Sequence, residues 1–317
     1  MRSLPLLLVV LLVCGLLVAC QGKTALVSPT QAQGPAPLPT AVAIPIPTAN
    51  SSSVLPSPTV FPSPTDGLAL VSWQNLPVVP TEISQRVREI YRHGQELGNN
   101  PNAFSNVGDC DATPTWFLGD FDRGPQYYSL GDYGNLQDVI DAFHGSFSRQ
   151  SIAVRRGFTA ASVLTPLWSD PTQCQKNETP LACEVRLHKP AFAFILLGTN
   201  DVNHQEVFEA DARQILDYLI KQGVVPILAT KADNLEGDHS INATIAHLAD
   251  EYDLPLWNFW LAVQPLPDHG LQGDGIHLTW ASNHFDDPVR MQAAWPWRNL
   301  TALQTLDFIW QAAMTHP

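Results

Sequence analysis

Residues 191–197 read AFAFILL, seven apolar residues bounded by Pro190 and Gly198. A run of this length and composition indicates a strand that is buried on both faces, as parallel strands usually are. Directly after it, residues 198–201 read GTND, in which Gly, Asn and Asp all favour a turn. The clearest strand of the chain is therefore expected to end in a turn that carries polar side chains.

Apolar strands and amphipathic helices alternate along the rest of the chain. Further strands are predicted at residues 103–107, 152–154, 224–229 and 255–259. Helices are predicted at residues 81–97 (with Thr81 as N-cap), 206–222, 241–252 and 301–313. This order predicts an α/β fold of three layers, α/β/α, around a central parallel sheet. Ligands of such sheets bind beyond the carboxyl ends of the strands.

The N-terminus is typical of an export signal. Arg2 is the only early charge, and residues 4–18 are almost wholly apolar, a run too short for a membrane span. Residues 17–20 read LVAC, which resembles a bacterial lipobox. That resemblance implies that residues 1–19 are a lipoprotein signal peptide and that the sulfur of Cys20 is lipidated. An ordinary signal peptide with an incidental cysteine is the alternative.

The signal is followed by a segment that cannot bury a core. Residues 24–65 contain no charged residue, and residues 29–64 are rich in Pro, Thr, Ser and Ala. We therefore interpret residues 20–66 as a lipid-anchored, partly extended linker. Residues 67–317 are long enough for one globular domain. The expected product is exported and anchored by lipid to the outer face of a bacterial cell membrane, and its net charge of −13 argues against a nucleic-acid partner.

The positions of the five cysteines suggest different roles for them. Cys14 would leave with the signal, and Cys20 would carry the lipid. Outside the cytoplasm, Cys174 and Cys183 are expected to pair and to close a polar loop, which leaves Cys110 as a free thiol. Pairing of Cys110 with either of the other two remains an alternative. A thiol redox protein is disfavoured because the sequence has no Cys-x-x-Cys.

Three motifs together supply the parts of an acyl-transfer site. The turn at residues 198–201 offers backbone amides and the carboxamide of Asn200. Asp274, three residues before His277, can orient the imidazole that acts as general base. The tripeptide Gly-Asp-Cys, directly after the first predicted strand, offers Cys110 as the nucleophile.

In this order the motifs resemble the blocks of the SGNH (GDSL-type) hydrolase family, over residues 103–277. The family's Gly-Asp-Ser is matched by Gly-Asp-Cys at 108–110, so a cysteine stands where the family has its nucleophilic serine. Its Gly-x-Asn-Asp block is matched at 198–201, and its Asp-x-x-His block at 274–277. The resemblance implies the flavodoxin-like fold of that family.

The resemblance also implies a role for each residue. An oxyanion hole would form from the backbone amides of Cys110 and Gly157 and from the side chain of Asn200. Cys110 would form a thioester intermediate, and its thiol, next to His277, is expected to ionise more readily than a serine hydroxyl. Asp274 would fix the tautomer of His277.

These features predict a surface-tethered esterase that hydrolyses O-acyl bonds of a small molecule, a lipid or a polysaccharide. No cofactor and no metal are expected, because Asp120, Asp122 and Asp132 lack the spacing of a calcium loop. The alternative is a non-catalytic domain that keeps the pocket and binds an acylated glycan or envelope component. The tryptophans, among them Trp116 and Trp280, are expected to pack in the core and at its rim, and a sugar-binding platform is the alternative.

Overall fold

The computed structural model describes residues 72–315, and the predicted signal peptide, Cys20 and the linker lie outside them. Its strands are β1 (Asn100–Gly108), β2 (Tyr128–Ser129), β3 (Pro190–Leu196), β4 (Val225–Ala229), β5 (Leu256–Trp257) and β6 (Asn283–His284). Its α-helices are α1 (Gln85–Glu96), α2 (Gln137–Ala142), α3 (Ala160–Val163), α4 (Pro180–His188), α5 (Gln205–Lys221), α6 (Ser240–Glu251), α7 (Phe259–Val263) and α8 (Ala294–Met314). Among these residues, none of the helices has the length and apolar composition needed to cross a bilayer.

The central sheet is parallel and runs in the order β1–β3–β4–β5. Every residue of β3 is buried, as the run of seven apolar residues predicts. In the register of the sheet, Val107 of β1 lies beside Ile195 of β3. β2 and β6 form a separate two-stranded parallel pair. The carboxyl ends of β1 and β3 therefore meet at one edge, where their loops carry the predicted motifs.

Helices cover both faces of this sheet. On one face α8 packs against α1, α2 and α7, and on the other α5 packs against α3 and α6. Aromatic rings fill the core between α8 and the sheet, where Phe117 lies 5.6 Å from Phe194 and 5.9 Å from Trp257 between ring centroids. The predicted three-layer α/β/α architecture with a central parallel sheet is confirmed.

Several predicted boundaries are wrong for local physical reasons. The first helix begins at Gln85 because Ser84, and not Thr81, is its N-cap: Ser84 Oγ accepts the N–H of Val87 at 3.2 Å. The strand predicted at 152–154 is reduced to a single parallel bridge between Val154 and Gly108. The strand predicted at 255–259 is shortened to β5, because the side chain of Asn258 caps α7.

The last two differences concern helices. α8 begins at Ala294, well before the predicted start at residue 301, because its first turns are buried on all sides and show no amphipathic period. The sequence did not predict α4, which carries Cys183. Cys183 forms a disulfide with Cys174, with 5.3 Å between Cα atoms. The bridge therefore joins the polar loop that precedes α4 to the helix itself.

Candidate active site

Cys110 lies at the carboxyl end of β1, in the short 3-10 turn Cys110–Ala112. Gly108 is needed just before it, because a Cβ at this position would lie 2.7 Å from the carbonyl oxygen of Leu196. The side chain of Asp109 caps the turn by accepting the N–H of Asp111 at 3.0 Å. Cys110 is the only free cysteine among the described residues.

Asn200 joins this turn to two neighbouring loops. Gly198, with a φ of 125°, allows the chain to bend sharply after β3 and places Asn200 beside Asp109. The Nδ2 of Asn200 donates to Asp109 Oδ2 at 2.8 Å and to the carbonyl oxygen of Phe158 at 3.2 Å. Both amide protons are thus in use, so Asn200 would have to release one of them to serve an oxyanion.

Gly157 lies in an exposed turn that Phe158 closes by donating its N–H to Arg155 at 3.0 Å. Its φ of 81° is a conformation that glycine adopts without strain, and a Cβ there would meet nothing within 4 Å. The buried Asp201 fixes this loop by accepting the N–H of Ala160 at 2.9 Å. Within residues 72–315, the amides of Cys110 and Gly157 donate no hydrogen bond to another residue, so they could serve as oxyanion donors.

Asp274 and His277 form a close pair in the loop between α7 and β6. Asp274 Oδ2 lies 2.6 Å from His277 Nδ1, and its Oδ1 accepts the N–H groups of Ile276 and His277 at 2.9 and 3.0 Å. These hydrogen bonds, that of the His277 side chain above all, lower the pKa of Asp274 to about 2. An ionised Asp274 on Nδ1 leaves Nε2 of His277 as the nitrogen that can exchange a proton with a ligand.

Cys110 and His277 line the same cleft, which has a volume of about 380 Å³. Asp111 and Arg156 line it as well. Gly157 follows Arg156 in the sequence, and Asn200 is hydrogen-bonded to Asp109, the residue before Cys110. In the described part of the chain, no hydrogen bond joins Cys110 to His277. The structure thus brings the predicted residues to one place, with the thiol and the imidazole on a common cleft and not in direct contact.

The ionisation of Cys110 differs from the expectation that its thiol is activated. Burial raises the pKa of Cys110 to about 11, and the negative charges of Asp109 and Asp111 act in the same direction. The free site therefore does not activate the thiol, and the expectation that it ionises more readily than a serine hydroxyl stays a prediction. Two carboxylates flank the sulfur, and each opposes the formation of a thiolate.

A buried charged cavity lies behind this turn, and sequence reasoning missed it. It has a volume of about 20 Å³ and is lined by Asp109, Asp111, Lys231, Asp233 and Arg298, among others. Lys231 Nζ lies 2.7 Å from Asp233 Oδ1. Burial raises the pKa of Asp109 to about 7, and the charge of Asp111 adds to that effect. Two features of the sequence could have pointed to this cavity: Asp109 and Asp111 on either side of Cys110, and the single arginine, Arg298, in an apolar helix.

Tryptophans form one wall of the cleft. Trp116 and Trp280 are 45% and 64% exposed, whereas Trp295 is buried. Trp116 stacks on Trp295 with 6.1 Å between ring centroids, and Asn299 Nδ2 donates to the Trp116 carbonyl oxygen at 3.1 Å. Trp295 packs in the core, and Trp116 and Trp280 lie at the rim, where they line the cleft together with Cys110.

No family model and no curated protein matches this sequence. Similar solved structures include a GDSL-like lipase from Bacteroides thetaiotaomicron, at 15% identity and a TM-score of 0.40, with 70% of this chain and 98% of that chain covered. A putative acylhydrolase from Bacteroides fragilis has 13% identity and a TM-score of 0.43, with 72% and 100% covered. An acetylxylan esterase from Geobacillus stearothermophilus has 14% identity and a TM-score of 0.42, with 66% and 95% covered.

Proposed function

We propose that this domain is an SGNH-type esterase that hydrolyses a short O-acyl ester. The observation that carries the proposal is the Asp274–His277 pair, held at 2.6 Å, on the cleft that Cys110 also lines. A general base with its orienting carboxylate and a nucleophile on one cleft are the parts that acyl transfer needs. The free amides of Cys110 and Gly157 add donors for an oxyanion.

The reaction would proceed through a thioester. As the ester carbonyl binds, His277 Nε2 takes the thiol proton, and Cys110 Sγ forms a bond to the carbonyl carbon. The tetrahedral oxyanion collapses, the bond to the alcohol oxygen breaks, and His277 returns its proton to that oxygen. Water, deprotonated by His277, then attacks the thioester and releases the carboxylic acid and the thiol.

The space around Cys110 favours a small acyl group on a ring-shaped alcohol. The cavity directly behind the turn measures about 20 Å³ and is lined by charged groups, so it cannot take an acyl chain. The exposed faces of Trp116 and Trp280 instead offer a flat apolar wall to the alcohol part. A saccharide ring suits this wall through its C–H face, and a lipid chain does not suit the charged cavity.

The site of action follows from the sequence of the first residues. The lipobox-like residues 17–20 and the uncharged spacer support an exported lipoprotein held on the outer face of a bacterial cell membrane. Such a protein meets acylated glycans of the envelope or of the surroundings. These are the substrates we propose.

A second candidate function is a binding domain without turnover. The observation that favours it is the raised pKa of Cys110, about 11, together with the absence of a Cys110–His277 hydrogen bond in the described residues. Such a domain would hold an acylated glycan in the cleft without forming a thioester.

A single assay series separates the two candidates. The full chain in detergent, with its Cys110→Ala, Cys110→Ser and His277→Ala variants, would be given p-nitrophenyl esters of two to twelve carbons. The esterase predicts hydrolysis of the acetate that falls as the chain lengthens, with most activity lost in both alanine variants. Full activity in Cys110→Ala would remove Cys110 as the nucleophile. An inactive wild type with an active Cys110→Ser would support the binding domain.

A further inference from the structure

Arg298 is a buried cation for which the fold provides no direct partner. It lies on α8, is 5% exposed, and its guanidinium carbon is 4.7 Å from the ring centroid of Phe259 and 5.3 Å from that of Phe117. In residues 72–315, no carboxylate lies within ion-pair distance of it, and its Nε has no hydrogen-bond partner. An arginine buried at such cost needs a counter-charge, because isolated buried charges are strongly unfavourable.

The counter-charge lies across the cavity that Arg298 lines. At about 20 Å³ this cavity has room for one water molecule. Of the other charged groups around it, Asp109 already binds Asn200 at 2.8 Å, and Asp233 already binds Lys231 at 2.7 Å. Within the described residues, the carboxylate of Asp111 makes no hydrogen bond.

Asp111 also reaches the other side of the turn. The residue lines both the small cavity with Arg298 and the open cleft with Cys110 and His277. Burial raises the pKa of Asp111, and the nearby charges of Arg298 and His277 act in the opposite direction. The carboxylate thus stands between the nucleophile and the buried guanidinium.

We propose that Asp111 and Arg298 form an opposed pair of positioning residues that sets how readily Cys110 loses its proton. The carboxylate of Asp111 restrains the formation of the thiolate, and the buried charge of Arg298 supports it. They lie at the site of the proposed esterase, so their effect on turnover rests on that function. Their effect on the thiol itself does not.

Other charged groups face Cys110 from the elements packed around it. They also influence the pKa of its thiol. Asp109 precedes it in the same turn, and its charge raises the pKa of the thiol, whereas the charge of Arg156, across the cleft, lowers it. His277 lies in the loop between α7 and β6, and Lys231 forms ion pairs with both Asp233 and Glu236 at 2.7 and 2.6 Å. Unlike Asp109, Lys231 and His277, neither member of the pair has a hydrogen-bonded or ion-paired side-chain partner within residues 72–315.

The test measures the alkylation of Cys110 by iodoacetamide between pH 6 and 11. It uses the full chain, with the modified peptide quantified by mass spectrometry. Removing the carboxylate in Asp111→Asn should speed alkylation at pH 8 about tenfold, because one pKa unit changes the thiolate fraction tenfold. Asp250→Asn, an exposed aspartate on α6, is the matched control and should leave the profile unchanged.

The arginine is tested in the opposite direction. Arg298→Met should slow alkylation at pH 8 by a similar factor, and Arg298→Lys should retain most of the wild-type rate. The double variant Asp111→Asn/Arg298→Met should return close to the wild-type profile, because both charges are then gone. If Arg298→Met fails to fold, the alkylation rates of Asp111→Asn and Arg298→Lys still test the opposed pair.

The alkylation profile tests the opposed pair, and the esterase assay separately tests the proposed function. An unchanged profile in Asp111→Asn, or faster alkylation in Arg298→Met, overturns the opposed pair even if the protein hydrolyses esters. The expected shifts in a protein without esterase activity support the pair and count against the proposed esterase.

Discussion

At the scale of single residues, Asp109 connects the two turns that form the candidate site. It accepts the amide of Asn200 at 2.8 Å and the N–H of Asp111 at 3.0 Å, and so ties the turn of Cys110 to the turn after β3. It does so while buried, and burial followed by the charge of Asp111 raises its pKa to about 7. The geometry of the site is therefore linked to pH through this carboxyl.

Asp109 should make the stability of the fold decrease as the pH rises from about 4 to about 7. Its pKa is near 3.9 in an unfolded chain and about 7 in the folded one, so the folded state holds the proton in this window. Stability falls with rising pH wherever the folded state binds more protons, here by a few kcal/mol. Thermal unfolding at pH 5, 6.5 and 8 measures the slope.

Asp109→Asn should flatten that slope, because the asparagine does not titrate. It cannot accept both hydrogen bonds, so the variant should also be less stable at pH 5. Asp250→Asn, on the surface of α6, should keep the wild-type slope. A slope in Asp109→Asn as steep as in the wild type would show that other groups cause it.

Sequence alone could find the residues of the site that are local in the chain. Asp274 and His277 are separated by one turn of loop, so their spacing already predicts their contact. Arg298 and Asp111 could not be paired in this way, because only the packing of α8 against the sheet brings them to one cavity. The raised pKa of Cys110 depends on the same burial and was out of reach for the same reason.

At the scale of elements, α8 and the loop of His277 are held together by one threonine. Ala293, at the N-cap position of α8, gives no side-chain hydrogen bond. Thr279 takes that role from a distance: its Oγ1 accepts the N–H of Ala294 at 2.9 Å and donates to the carbonyl oxygen of Gly270 at 3.0 Å. The start of the helix thus fixes the loop that carries the candidate base.

Thr279→Val should destabilise the domain by about 1–3 kcal/mol, because it leaves the N–H of Ala294 without its partner. If the domain is an esterase, kcat should fall as well, since the loop that carries His277 loosens. Thr279→Ser keeps the hydroxyl and should retain most of both stability and kcat. Chemical denaturation and steady-state kinetics on the wild type and the two variants measure these losses. Equal stability of the valine and serine variants would contradict the role given to the Thr279 hydroxyl.

The elements found from the sequence were those with a clear period. β3 and β4 are continuous apolar runs, and α5 and α6 are amphipathic, so their positions were predicted to within one or two residues. The first turns of α8 were missed because buried residues surround the whole helix there. Burial on all sides removes the alternation on which such predictions depend.

At the scale of the whole molecule, the parallel sheet explains why distant motifs meet. β1 and β3 are adjacent and point the same way, so their carboxyl ends bring Cys110 and Asn200 within reach of one another. The order of the blocks in the sequence was enough to predict this edge, because parallel strands place their ligand loops on one side. The net charge of the whole protein is −13, so anionic surfaces repel it. A covalent anchor would therefore be needed to keep it at a membrane.

That anchor gives the last prediction. We expect Cys20 to be lipidated, since residues 17–20 resemble a lipobox and an uncharged spacer follows them. The full chain expressed in a bacterial host should sediment with membranes and be released by detergent. Cys20→Ala should appear in the soluble exported fraction or keep its signal. Cys14→Ala, inside the apolar run, is the matched control and should remain with the membranes, because its thiol precedes the expected cleavage point. Membrane association of Cys20→Ala after removal of the signal would show that something other than a lipid on Cys20 holds the protein there.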